Sequence, residues 1–189
     1  EVLPEAFPRA RELCVHFYGG EPLLNLLAIR AAVDAASSMC EPRFTFAITT
    51  NGTICSDGAL AILRKGRFNV TLSVDGPPHI HDALRRTPSG KPTHAKVLKF
   101  LGQLKDEELF VRGSSVVRRG WSLREACAYL SSLPVDAIKA QAVRLPSGDE
   151  LALTEGDYQE YFEHLGDIAG EVIDCVRRGE YPRDDRFNH

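Results

Sequence analysis

The stretch "LCVHFYGGEPLLN", residues 13–25, predicts the start of a βα unit. Residues 13–18 are mostly apolar or aromatic, and two glycines, a glutamate and a proline follow them directly. A short run of this kind with turn residues after it predicts a buried strand. Glycines alone would be enough for a tight turn, so the carboxylate of Glu21 between Gly20 and Pro22 indicates a binding site at the strand end.

The same alternation of short apolar runs and longer amphipathic segments continues along the chain. It predicts strands at residues 13–18, 43–49, 69–74, 108–117 and 137–143. It predicts helices at residues 23–39, 56–66, 93–105, 122–133 and 154–179. Successive βα units are typical of an α/β protein with either a doubly wound open sheet or part of a (β/α) barrel. The periodicity of the sequence alone does not distinguish between these two architectures.

Length and composition indicate an ordinary globular protein. The chain has 189 residues, of which 43% are hydrophobic and 26% are charged, and this suits one domain with one core. A formal net charge of -3 gives no bulk attraction to nucleic acid or to an anionic membrane. No apolar run approaches the roughly 20 residues of a membrane span. The first residues lack the features of a secretory signal, so we expect a cytoplasmic protein.

Polar residues and glycines follow the first three predicted strands. They are, in chain order, Gly19, Gly20, Glu21, Asn51, Ser73 and Asp75. The carboxyl ends of parallel strands meet at one rim, so we expect these residues to lie near one another. Carboxylate and amide oxygens accept hydrogen bonds from ammonium or hydroxyl groups, so the set fits a polar, nucleoside-like ligand. Each motif alone is more often ordinary turn chemistry, and no phosphate-binding glycine motif is present.

The motifs "FYGGEPLLN" (17–25), "TTNGTI" (49–54) and "SVDGPPHIHDALRR" (73–86), in this order, resemble radical S-adenosylmethionine (radical SAM) enzymes. Among these, the chain is similar to the peptide- and protein-modifying maturases, which include anaerobic sulfatase maturases and makers of thioether-crosslinked peptides. The resemblance runs from about Leu13 to at least Val143. It implies a partial (β/α)6 TIM-like barrel of the radical SAM type, with strands 2 to 6 and their helices in this chain.

The resemblance also implies a set of cofactor-binding residues, and it names no catalytic residue. The set is Gly19, Gly20, Glu21, Asn51, Ser73, Asp75 and Arg112. Glu21 and the two glycines match the motif that holds the amino group of the methionine moiety of S-adenosylmethionine. Ser73 is the candidate for the ribose. Arg112 is a candidate for the ligand carboxylate, with a structural ion pair as the alternative.

The cysteines do not follow the pattern of the family. They are Cys14, Cys40, Cys55, Cys127 and Cys175, and none has CxxxCxxC spacing. In radical SAM enzymes a CxxxCxxC loop supplies three thiolates to a [4Fe-4S] cluster. We therefore expect the cluster ligands to lie outside this chain. The expected organisation is a single radical SAM core domain, residues 1–189, truncated at the amino terminus, without a carboxyl-terminal cysteine-rich domain and inactive by itself.

By the same resemblance, the parent enzyme generates a 5'-deoxyadenosyl radical from S-adenosylmethionine for hydrogen abstraction from a peptide or protein. The implied partners are that substrate and an electron donor such as flavodoxin or ferredoxin, with no nucleic acid and no membrane. The alternative is a noncatalytic nucleoside- or peptide-binding module with a degenerate radical SAM fold. A third reading is an unrelated (β/α) enzyme that binds a nucleotide.

His79 and His81 in "PPHIHD" are a weaker candidate for chemistry. In an extended segment, residues two apart face the same way and could bind a metal together with Asp82. Because so few ligands are nearby, a loop-stabilising or substrate-facing role is favoured, and no metal site is assigned.

Overall fold

A computed structural model describes residues 10–146 and 148–182 of the chain. The strands are β1 Glu12–Phe17, β2 Arg43–Thr50, β3 Asn69–Ser73, β4 Val111–Val117 and β5 Ala137–Ala142. The helices are α1 Leu26–Ser37, α2 Asp57–Lys65, α3 Pro78–Leu84, α4 His94–Asp106, α5 Leu123–Ser131 and α6 Glu155–Arg177, with a short 3-10 helix, Pro22–Leu24, before α1. Every predicted strand is confirmed, and the largest shift of a boundary is at the start of β4.

The described strands form one parallel sheet in the order β1-β2-β3-β4-β5. Each strand therefore pairs with the next strand of the chain. A doubly wound sheet reverses its order part-way, whereas a barrel adds its strands in sequence. The sequential order favours the barrel type of winding, and the predicted α/β fold with parallel strands is confirmed.

One face of the sheet packs against the helices. Alternate residues of β2, β3 and β4 point to this face and are buried, and they include Phe46, Ile48, Val70, Leu72 and Val111. They join the apolar sides of the helices in one core. None of the described helices is both long enough and apolar enough to cross a membrane.

Two parts of the helix prediction need correction. The predicted helix at residues 23–39 is divided, because the side chain of Asn25 accepts a hydrogen bond from the Ala28 N–H and caps an α-helix that begins at Leu26. Helix α3 was not predicted at all, because "DGPP" is typical of a turn. Proline is nevertheless favourable in the first turn of a helix, where an N–H has no partner in any case.

Helix α3 also corrects the interpretation of His79 and His81. Residues two apart on a helix point to different sides, so the two imidazoles do not form the extended pair that a shared metal would need. His81 is fully buried, and His79 is exposed. Among the residues that the structure describes, no three His, Cys, Asp or Glu side chains form a group that could hold a metal ion.

Candidate functional site

Glu21 lies where β1 ends, and three donors hold its carboxylate. Oε1 accepts hydrogen bonds from the Leu23 N–H (3.1 Å) and the Thr50 hydroxyl (2.8 Å), and Oε2 accepts one from the Asn51 N–H (2.7 Å). A carboxylate offers about four acceptor sites. Within the described part of the chain, Oε2 therefore keeps capacity for a further donor. Glu21 connects the ends of β1 and β2 in a fixed orientation and can still accept a hydrogen bond from a ligand.

Gly19 and Gly20 give the backbone beside Glu21 a conformation that other residues adopt only with strain. Their φ angles are 96° and 52°, in the left-handed region. No atom lies within 4 Å of the position that a Cβ would take on either glycine. Since both glycines are also exposed, a ligand can approach this backbone closely.

Asn51 and Ser73 lie at the same rim, at the ends of β2 and β3. The side-chain oxygen of Asn51 accepts hydrogen bonds from the Thr53 N–H (2.9 Å) and hydroxyl (2.7 Å), so it stabilises its own turn. Ser73 is half-buried and is paired in register with Ser114 of β4. Direct contact of Asn51 or Ser73 with a ligand stays a prediction.

Asp75 is buried behind the rim and is bound by an arginine. Arg85 Nε lies 2.6 Å from Oδ2, and Nη2 lies 3.1 Å from Oδ1. The Val116 N–H also donates to Oδ1, at 3.3 Å. The carboxylate of Asp75 therefore connects the loop after β3 to the end of α3 and to β4. These contacts give Asp75 a positioning role, and its predicted contact with a ligand stays a prediction.

His81 also stabilises the loop after β3, through hydrogen bonds of its imidazole ring. Its Nδ1 accepts from the Asp75 N–H (3.2 Å), and its Nε2 lies 3.1 Å from the Thr93 hydroxyl. That hydroxyl donates its only proton to the Arg85 carbonyl, at 2.6 Å. The proton between His81 and Thr93 must therefore come from Nε2, which makes His81 a neutral Nε2–H tautomer. Desolvation by burial lowers the pKa of His81, and the charge of Asp75 opposes this only in part.

The sheet face opposite the helices carries mostly polar side chains. Alternation along the strands and their register bring together Cys14, His16, Thr45, Thr49, Thr71, Ser73, Arg112, Ser114, Lys139 and Gln141. His16 Nε2 lies 3.0 Å from Thr49 Oγ1, and Arg112 Nη1 donates to Thr71 Oγ1 at 3.4 Å. We call this surface the polar face. It leads directly to the rim at Ser73, so a ligand held at the rim can extend over it.

Three residues of this site were missed by the sequence analysis. Thr50 and Arg85 became apparent only through their bonds to Glu21 and Asp75. Lys139 could have been found, because the alternation in "AIKAQAV" puts it on the side of the strand opposite to Ile138 and Ala140. Lys139 is not part of a recognisable motif, so the sequence gave no reason to select it as a site residue.

A parallel sheet wound in chain order, with a carboxylate-bearing glycine loop at its rim, defines a barrel-type α/β protein with a candidate binding site at the carboxyl ends of its strands. Comparisons with known proteins make this class more specific. The chain is 28% identical over 169 residues to the radical SAM cyclopropyl synthase TigE of Paramaledivibacter caminithermalis, a match that covers 89% of this chain and 34% of TigE. It is 32% identical over 91 residues to the serine-type anaerobic sulfatase-maturating enzyme of Bacteroides thetaiotaomicron, covering 47% of this chain and 22% of that enzyme.

The fold of this chain is also similar to that of a solved structure. Native anSMEcpe with bound AdoMet and the Kp18Cys peptide superposes with a TM-score of 0.77 at 20% identity, covering 94% of this chain and 51% of that one. No family model matches the chain. The chain thus spans about a third of the length of TigE and about half of anSMEcpe. Together these findings confirm the resemblance to radical SAM maturases, in sequence and in fold.

Proposed function

We propose that this chain is the S-adenosylmethionine-binding core of a radical SAM enzyme that modifies a peptide or protein. The observation that carries the proposal is the geometry of Glu21, whose carboxylate is fixed by three donors and keeps an acceptor site on Oε2 beside two open glycines. The bound AdoMet and peptide of anSMEcpe support the same class of ligands here. We further infer a single core domain that acts in the cytoplasm with an electron donor such as flavodoxin or ferredoxin.

The residues of this chain would bind and orient S-adenosylmethionine. Glu21 accepts a hydrogen bond from the ammonium of the methionine moiety, and the backbone of Gly19 and Gly20 lies against it. Ser73 binds the ribose, and Arg112 on β4 provides a cation for the carboxylate. Asp75 holds the loop that follows Ser73 through its ion pair with Arg85. By binding S-adenosylmethionine in one orientation, these residues position the bond that is cleaved relative to the groups that react with it. This positioning is a large part of what a protein contributes to radical chemistry.

The described residues do not fit a [4Fe-4S] cluster, since they contain no group of three possible metal ligands. In the proposed parent enzyme, the cluster would supply the electron that cleaves S-adenosylmethionine to the 5'-deoxyadenosyl radical. No residue of this chain is assigned to that step. The contribution proposed here is the binding of S-adenosylmethionine and the exclusion of water from its sulfonium end.

The test uses the full-length protein that contains this chain, supplied with iron and sulfide in the absence of oxygen. With S-adenosylmethionine and a reductant it should release 5'-deoxyadenosine, measured by liquid chromatography. Glu21→Gln replaces one acceptor oxygen with a donor group, so we expect the Kd for S-adenosylmethionine to rise at least about tenfold. A folded, cluster-loaded protein that binds S-adenosylmethionine without cleaving it would overturn the enzymatic proposal and support the noncatalytic module.

Thr50→Val is the matched control for Glu21→Gln. It removes one hydrogen bond to the same carboxylate, and the bond that the Thr50 hydroxyl accepts from the Gly52 N–H, but it keeps the charge and both oxygens of Glu21. Both variants should lower the melting temperature, whereas only Glu21→Gln should weaken binding of S-adenosylmethionine. Equal weakening in the two variants would mean that Glu21 acts through the shape of the loop and does not contact the ligand.

A further inference from the structure

We propose that Lys139 is a specificity-determining residue that binds a side-chain carboxylate of the peptide substrate. This inference rests on the proposed function and names the substrate class as peptides with an Asp or Glu near the modified residue. Lys139 is half-buried in the middle of β5, on the polar face. Its neighbours Ile138 and Ala140 point the other way, into the core.

Lys139 differs from Lys105, the other half-buried lysine of the described residues, in having no counter-ion. Lys105 lies 2.6 Å from the carboxylate of Asp136, and Lys65 lies 2.6 Å from that of Asp34. Within residues 10–146 and 148–182, the side chain of Lys139 makes no hydrogen bond and no ion pair. A half-buried ammonium without a counter-ion favours a ligand that brings an anion.

The residues in register with Lys139 across the polar face carry neutral hydroxyl groups, and Arg112 lies two residues before Ser114 on β4. Lys139 is paired in register with Ser114, and Ser114 is paired with Ser73. Neighbouring strands lie about 4.8 Å apart, so the Cα atoms of Lys139 and Ser73 are roughly 10 Å apart across this row. A carboxylate above Ser114 is therefore within reach of the ammonium and of two hydroxyl donors. Glu12 on β1 is an acidic residue of the same sheet face, but it lies at the opposite edge of the sheet, in register with Arg43.

Charge complementarity decides which occupant fits. A peptide that covers the polar face removes water from the ammonium of Lys139, and an uncompensated charge is costly in such a place. A carboxylate compensates it, and the serine hydroxyls can donate to the remaining oxygen. A neutral side chain at this position would leave the ammonium without a partner. The polar face is thus expected to select against neutral and basic residues there.

Lys139 lies farther from Glu21 than the residues proposed to bind S-adenosylmethionine do. Glu21 connects the ends of β1 and β2, whereas Lys139 lies on β5, about three strand spacings or ~14 Å from β2. Arg112 on the neighbouring strand β4 is already proposed for the methionine carboxylate, so we assign the carboxylate at Lys139 to the peptide. The methionine carboxylate of S-adenosylmethionine is the other possible source, and the experiment distinguishes the two.

The experiment selects a library of short random peptides for binding to the full-length protein in the presence of S-adenosylmethionine. We expect the bound pool to be enriched in Asp and Glu at one position by about tenfold over Asn and Gln. Lys139→Met should abolish the enrichment, Lys139→Arg should retain it, and Lys139→Glu should replace it with enrichment of Lys and Arg. A pool without acidic enrichment from the unmodified protein would overturn the inference.

Measurement of S-adenosylmethionine binding is the second readout. Its Kd should stay within about twofold in Lys139→Met, which also checks that this variant is folded. An increase in that Kd with unchanged peptide enrichment would assign Lys139 to S-adenosylmethionine and overturn the inference. Acidic enrichment without formation of 5'-deoxyadenosine would support the subsite and contradict only the enzymatic proposal.

Discussion

Glu21 and Asp75, the two carboxylates of the rim motifs, have different partners and therefore different roles. Glu21 receives hydrogen bonds from two backbone N–H groups and one hydroxyl, all of them neutral, so its negative charge is available to a cationic ligand. Asp75 is only 6% exposed, and the guanidinium of Arg85 neutralises its charge. At the scale of the residue, the partner of a carboxylate decides whether its charge is available to a ligand or is used to hold the loop.

Asp75→Asn should lower the free energy of unfolding by about 3 kcal/mol, because it leaves the guanidinium of Arg85 without its counter-ion in a largely buried place. The Val116 N–H would also lose part of its bond to Oδ1. Urea denaturation followed by circular dichroism measures the change.

Asp34→Asn is the control for this prediction. Asp34 pairs with Lys65 at 2.6 Å, but both side chains are more than half exposed, so the loss should stay below about 1 kcal/mol. Similar losses in the two variants would mean that burial of Asp75 contributes little to the energy of its ion pair.

At the scale of the element, helix α3 depends on contacts from other parts of the chain. Asp82 Oδ1 accepts from the N–H groups of Thr93 (2.7 Å) and His94 (2.9 Å), so a side chain of α3 caps the start of α4. Desolvation raises the pKa of Asp82, but these two backbone bonds outweigh it and leave the pKa below its ordinary value. The Thr93 side chain makes no such cap. Helices α3 and α4 therefore stabilise each other.

Protonation of His81 should destabilise this pair of helices. The ordinary pKa of histidine is 6.5, and desolvation lowers the pKa of His81 in the folded protein and that of His94 as well. Below about pH 6.5 the unfolded chain therefore binds protons that the folded chain does not. The free energy of unfolding should fall as the pH falls from about 6.5, by at most about 1.4 kcal/mol per pH unit for each histidine. A protonated Nδ1 would also face the Asp75 N–H, so two donors would oppose each other.

Denaturation of the His81→Gln variant between pH 7 and pH 5 measures this effect. Gln cannot titrate, so the dependence on pH should become shallower than in the unmodified chain. His79→Gln is the matched control, because His79 lies on the same helix but is exposed. An unchanged slope in His81→Gln would contradict the prediction.

At the scale of the whole molecule, β1 forms an edge of the described sheet. It pairs with β2 on one side only, and Tyr18, Leu24 and Leu27 beside it are 77%, 77% and 81% exposed. An unpaired strand edge with apolar side chains nearby promotes pairing with another chain. We therefore expect the 189-residue chain to associate in solution.

Light scattering coupled to gel filtration under reducing conditions measures this association. Cys14→Lys puts a charge on the edge strand and should increase the monomeric fraction. A chain that is monomeric with and without the lysine would contradict the prediction.

Local sequence patterns predicted most of the strands and helices of this protein. The features that these patterns did not predict depend on contacts between residues that are not neighbours in the chain. All five strands follow from apolar runs of a few residues, and the rim residues follow from the turns after them. Helix α3 was missed because "DGPP" is ambiguous and its stability comes from His81 and Asp82, which bind residues six and eleven positions away. The positioning role of Asp75 depends on Arg85 in the same way.

The sequence by itself determined the alternation of strands and helices, the motifs at three strand ends and the likeness to radical SAM maturases, because each depends on neighbouring residues. The tertiary structure decided the barrel type of winding, since only strand pairing distinguishes it from a doubly wound sheet. It also decided which carboxylate is open to a ligand and which is neutralised. Lys139 became a candidate only in the sheet, where register aligns it with Ser114 and Ser73 on one polar face.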